Sequence, residues 1–95
     1  MDKLVVIYTM KTCPHCVDFK EKLDEADIDY VDRDIFEYEE EYDLFVNATG
    51  NDYVPAFMLI EDFESEKPIT SLYAPDQDFD NIENGVNIIK EFYER

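Results

Sequence analysis

Two cysteines three positions apart stand between a run of apolar residues and an amphipathic stretch, and no other feature of this 95-residue chain restricts its fold as tightly. The apolar run, Leu4-Val5-Val6-Ile7-Tyr8, is short and continuous, the pattern of a strand buried on both faces. Thr12-Cys13-Pro14 then reads as a helix start, with Pro in the first turn, where its missing N–H costs nothing. Cys16, Phe19, Leu23 and Ala26 recur at spacings of three and four, so a helix to about Ala26 carries them on one face. Asp18, Glu21 and Lys22 take its other side. The cysteine pair therefore sits at the mouth of a helix that follows a buried strand.

Downstream, Asp29 to Ile35 reads as a second strand, with Tyr30 and Val31 as its β-formers. Glu37 to Ala48 reads as a helix whose Tyr38, Tyr42 and Phe45 pack at helical spacing, closed by Gly50 or Asn51 in the left-handed conformation. Ala56 to Ile60 is another apolar strand. The polar segment from Glu61 to Pro68 returns it to a hairpin partner, Ile69 to Tyr73. Asp78 to Asn81 supplies N-cap residues for a last helix reaching Tyr93, with Ile82, Val86, Ile89 and Tyr93 as its stripe and Phe92 alongside. The order is β-α-β-α-β-β-α, an α/β chain without repeat or linker, read as one domain over residues 1–95.

A hydrophobic content of 45%, with seven Phe and seven Tyr, suffices for one modest core and argues against disorder. The net charge of −17 repels nucleic acid and anionic membranes, so neither is expected as a partner. No segment approaches the roughly 18 apolar residues of a membrane span. The patch at Leu4–Tyr8 is too short for a secretory leader, so a cytoplasmic monomer is expected.

Only two cysteines are present, so a secreted disulfide framework is not indicated; redox chemistry or metal binding is. Disulfide exchange needs one thiolate that attacks and a second thiol near enough to release the mixed disulfide. At a helix N-terminus, Cys13 meets unpaired N–H groups and the positive end of the dipole, which favour anionic sulfur. Cys16, one turn on and on the apolar stripe, is expected to be less exposed. Cys13 is thus the candidate nucleophile and Cys16 the resolving thiol. Half of a zinc site is the competing reading, but the chain offers two Cys and one His where closed zinc sites take four ligands, so no metal is expected. A metal or iron–sulfur carrier shared across a dimer stays open as a non-enzymatic alternative. Val54-Pro55, opening the third strand, is the second element. A cis bond there would turn the Val54 N–H and C=O toward an extended substrate.

Along nearly its whole length the chain resembles the glutaredoxin branch of the thioredoxin-like family. Val5–Thr9 leading into Cys13-Pro14-His15-Cys16 is similar to that family's first strand and active site, and Pro14 holds the position where its members usually carry Pro. Thr49-Gly50 followed by Tyr53-Val54-Pro55 resembles its helix end and Thr-Val-Pro loop. The resemblance implies a thioredoxin-like fold, a four-stranded mixed sheet flanked by three helices. It also implies reduction of protein disulfides or glutathionylated proteins, ribonucleotide reductase among the family's targets, with glutathione as co-substrate. Glutathione contacts would fall on Lys11, Tyr53, Val54, Pro55, Asp76, Gln77 and Asp78, the last three offering N–H groups and a carboxylate to its γ-glutamyl end.

The chain departs from that family at several positions. Met10 stands where Lys or Arg is usual, leaving Lys11 as the nearest cation, and Tyr53 replaces the Thr of Thr-Val-Pro. Asp52 replaces a basic or amide residue, and Ala74-Pro75 occupies the region of the paired glycines. These changes thin the contacts to glutathione and keep a redoxin fed by thioredoxin reductase as an alternative. His15 replaces the usual Tyr, a choice similar to the active site of strongly oxidising periplasmic oxidoreductases, and is expected to stabilise the Cys13 thiolate.

Overall fold

The computed structural model describes residues 3–94. Strand β1 (Lys3–Thr9) is buried from Val5 to Thr9, and its two-residue alternation sorts the core into two layers. Val5 and Ile7 face helix α1 (Pro14–Glu25) and helix α3 (Ile82–Glu94), packing with Phe19, Leu23, Val86, Ile89 and Phe92. Val6 and Tyr8 face helix α2 (Glu39–Thr49) and pack with Tyr42 and Phe45. Strand β3 (Ala56–Glu61) repeats the sorting, because its register opposes Ile7 to Phe57 and Val5 to Leu59.

The sheet order is β2-β1-β3-β4. Strand β2 (Val31–Asp34) runs parallel to β1, while β3 is antiparallel both to β1 and to β4 (Ile69–Tyr73). This four-stranded mixed sheet with three helices is the thioredoxin-like arrangement expected from the sequence. None of the helices among the described residues is long and apolar enough to cross a membrane.

The starts of two elements and the buried face of a third differ from the sequence reading. Strand β2 starts at Val31, not Asp29, because the chain leaves α1 through a turn in which Asp27 has φ 57° and Ile28 N–H donates to Leu23 C=O. Helix α2 starts at Glu39, not Glu37. Asp34 holds the preceding turn, its carboxylate accepting Phe36 N–H and its C=O accepting Glu37 and Tyr38 N–H. Tyr38 therefore caps α2 outside the core, with the Arg33 guanidinium 4.5 Å from its ring centre. In α3 the buried face is Gly85, Val86, Ile89 and Phe92, and Tyr93 lies at its edge. Gly85 sets that rotation, since a Cβ there would meet Phe79 at 3.1 Å and Phe19 at 3.3 Å.

Candidate active site

Cys13 is the N-cap of α1, extended at φ −95° and ψ 109°, with Pro14 following in the first turn. Its sulfur accepts the Cys16 N–H at 3.2 Å, in the place where a Ser or Asp oxygen usually caps a helix. The sulfur thus lies at the N-terminal end of the helix, where Val17 N–H also donates to the Cys13 C=O at 3.2 Å. The loop behind it is fixed by Cys13 N–H donating to Met10 C=O at 3.2 Å.

Both cysteines are free thiols close together in space, and they differ in setting. Cys13 retains 7% exposure, whereas Cys16 retains none and lies on the buried stripe with Phe19 and Leu23. Burial, and then the hydrogen bond shared with Cys13, push the Cys16 thiol up to about 12. Cys16 thus keeps its proton at neutral pH, while Cys13 holds the helix N-cap and is the more exposed of the two sulfurs.

The Val54–Pro55 bond is cis, as expected from the sequence. Pro55 is buried at the entry to β3. Val54 lies two residues before the last ladder pair, Tyr8 with Ala56, so its N–H and C=O fall beyond the sheet register. Beside it opens a cleft of about 420 Å³ that gathers His15, Tyr53, Val54, Pro55 and Asp76 from the expected set. His15 reaches it as an exposed residue of the first turn of α1, and Tyr53 as an exposed residue of the loop before β3.

Other expected contacts lie elsewhere or are engaged within the fold. Lys11 does not line the cleft and pairs with Glu37 at 3.7 Å on an open surface. The Asp78 carboxylate accepts Ala74 N–H at 2.8 Å, and the Gln77 side chain donates to Thr49 C=O. The N–H groups of the loop are also used internally: Asp76 donates to Phe79 C=O, and Gln77 and Asp78 both donate to Ala74 C=O. The sequence reading had these N–H groups offered to a carboxylate; the tight turn after Ala74, with Asp76 at φ 62°, consumes them instead.

Pro75, Phe79, Asp80, Asn81 and Ile82 complete the cleft and were not singled out as site residues. A signal existed, because Asn81 is the N-cap of α3, its Oδ1 accepting Asn84 N–H at 2.9 Å. Knowing the cap places Asp80 and Ile82 at the helix mouth, but only the packing of α3 beside α1 brings that mouth to His15. Asn51 Nδ2 donates to Pro75 C=O at 2.8 Å and ties this wall to the end of α2. Among the described residues, no three His, Cys, Asp or Glu side chains converge as metal ligands.

A comparison with protein families matches the glutaredoxin family over residues 5–62, more than half of the chain, including the cysteine pair and the Val54-Pro55 loop. Neither a curated protein nor a solved structure matches the chain.

Proposed function

The chain belongs to the glutaredoxin family and is a thiol–disulfide oxidoreductase, and on that footing we propose that it reduces protein disulfides and glutathione mixed disulfides in the cytoplasm, with glutathione as the electron donor. The observation that carries this reading is the asymmetry of the pair: a Cys13 sulfur that caps the helix and keeps 7% exposure, and a fully buried, protonated Cys16 behind it.

Cys13 thiolate attacks one sulfur of the substrate disulfide, forming a mixed disulfide and releasing the other sulfur as a thiolate that takes a proton. Cys16 then loses its proton and attacks the Cys13 sulfur. The second substrate thiol leaves, and two electrons have passed to the substrate as the Cys13–Cys16 disulfide forms. Two glutathione thiols return the pair to the dithiol, leaving as glutathione disulfide. Val54, outside the sheet register, is the backbone clamp for the cysteinyl part of glutathione or for an extended peptide. Asp76 faces its γ-glutamyl amine and Lys11 its glycyl carboxylate. With one exposed and already paired lysine as the cationic contact, glutathione affinity is expected to be weak.

The test separates the two cysteines and the donor. Cys13→Ser should abolish reduction of every disulfide, whereas Cys16→Ser should trap mixed disulfides and retain at most a glutathione-dependent activity. Identical behaviour of the two variants would overturn the assignment. A specific observation supports a second donor: among the described residues no Lys or Arg lines the cleft. Turnover sustained by thioredoxin reductase and NADPH, but not by glutathione with its reductase, would replace glutathione as donor and leave the cysteine chemistry unchanged.

A further inference from the structure

The cleft lined by His15 and the Val54-Pro55 loop presents carboxylate acceptors where a carboxylate-bearing ligand needs donors. Asp76 and Asp80 stand on its wall, and His15 is the one lining side chain among the described residues that can carry positive charge. The loop N–H groups of residues 76–78 are all spent on Phe79 and Ala74 carbonyls, which leaves the first turn of α3 as the backbone donor group at this wall. Apart from the Asn81 amide, the rest of the lining is mostly apolar, with Tyr53, Pro75, Phe79 and Ile82 among it. The two carboxylates are exposed and carry no ion pair among the described residues. The surrounding surface has the same sign, at a net charge of −17.

Resting on the oxidoreductase reading above, we propose that the protein substrate presents its disulfide on a basic segment, with a Lys or Arg next to the reacting cysteine that enters this cleft and meets Asp76 and Asp80. Such a side chain lays its methylene stem on Phe79 and Ile82 and its charged end on the carboxylates. Opposite charge also speeds encounter, because the field around a strongly charged protein steers partners of the other sign. An acidic segment meets the same two carboxylates and is repelled.

The test uses the full chain and three synthetic peptides. Each carries one Cys disulfide-bonded to 2-mercaptoethanol and flanked by Lys, Gln or Glu. Dithiothreitol, an uncharged dithiol, serves as reductant, so the result does not depend on glutathione. The Lys peptide should be reduced roughly tenfold faster than the Glu peptide at low ionic strength, with the ratio shrinking as salt is added. Asp76→Asn with Asp80→Asn should collapse that ratio. Glu64→Gln with Glu66→Gln, which removes the same charge from the connection between β3 and β4, should keep it. Equal rates for the Lys and Glu peptides, or a ratio that survives the cleft substitutions, would overturn the basic-segment inference while leaving the oxidoreductase reading intact. If the wild type reduces none of the three faster than Cys13→Ser does, the oxidoreductase reading falls as well.

Discussion

Two tyrosines on the α2 side of the sheet show how one hydroxyl can support a core and another burden it. Tyr8 is 1% exposed, and its hydroxyl donates to Glu41 at 2.7 Å. Tyr42 is also buried, its ring tilted against that of Tyr8 at 5.7 Å, but its hydroxyl has no hydrogen-bond partner among the described residues. Tyr8→Phe should therefore cost about 1 kcal/mol, the net worth of a made bond, whereas Tyr42→Phe should be neutral or stabilising, because it deletes a polar group buried without a partner. Urea denaturation of both variants checks the contrast; an equal loss in the two would refute it. Burial, then the bond to Glu41, raise the Tyr8 phenol well above its ordinary value of 10.0. A group that binds its proton more tightly when folded stabilises the fold fully below its unfolded value and loses that contribution as pH rises toward the folded one. Cys16, also raised by burial, has the same sign. Stability should hold through neutral pH, begin to fall above about pH 9 through Cys16 and steepen above about pH 10 through Tyr8, with a shallower fall in Tyr8→Phe. Thermal melts across pH 8 to 11 measure it.

At the scale of elements, two glycines answer different demands. Gly50 ends α2 at φ 72°, with open space where a Cβ would go, so Gly50→Ala suffers only the left-handed backbone and should lose about 1 kcal/mol. Gly85 lies inside α3, where Ala would gain about 1 kcal/mol of helix propensity. Its Cβ, however, would press on the Phe79 and Phe19 rings at 3.1 to 3.3 Å. Both rings are locked in the core, at 5% and 0% exposure, and overpacking costs about 1–3 kcal/mol. The clash wins, so Gly85→Ala should destabilise the protein despite better propensity. Because Phe79 also lines the cleft, the same variant should slow reduction of bulky disulfides. Chemical denaturation and peptide kinetics read the two effects separately, and a more stable Gly85→Ala would refute the packing account.

For the whole molecule the dominant quantity is charge. With 25 acidic against 8 basic side chains, self-repulsion opposes the compact state. The pairs that offset it, such as Lys11 with Glu37 and Lys20 with Asp32, lie near the surface and contribute little. Added salt should therefore stabilise the fold, since the screening length falls from about 30 Å at 0.01 M to about 10 Å at 0.1 M. The midpoint of thermal unfolding should rise with sodium chloride over that range. A midpoint that falls would mean that the surface pairs outweigh the repulsion.

The fold was legible from the sequence where local periodicity carries the information. Apolar runs at Leu4–Tyr8 and Ala56–Ile60 mark strands buried on both faces, and the spacing of Cys16, Phe19 and Leu23 marks the helix that Cys13 caps. Limits set by turn chemistry were less so, because the Asp34 side chain and a left-handed Asp27 reshape the ends of β2 and α2 through single hydrogen bonds. The difference in burial between Cys13 and Cys16 follows from position along one helix, and so it could be read without a structure. The far wall of the cleft could not. Phe79, Asp80 and Ile82 lie more than sixty positions from His15, and only the packing of α1 and α3 on one face of the sheet joins them. The same tertiary turn spends the 76–78 amides on its own carbonyls. Whether a backbone N–H is free for a ligand depends on where the chain places its neighbours in space, a property that no residue spacing encodes.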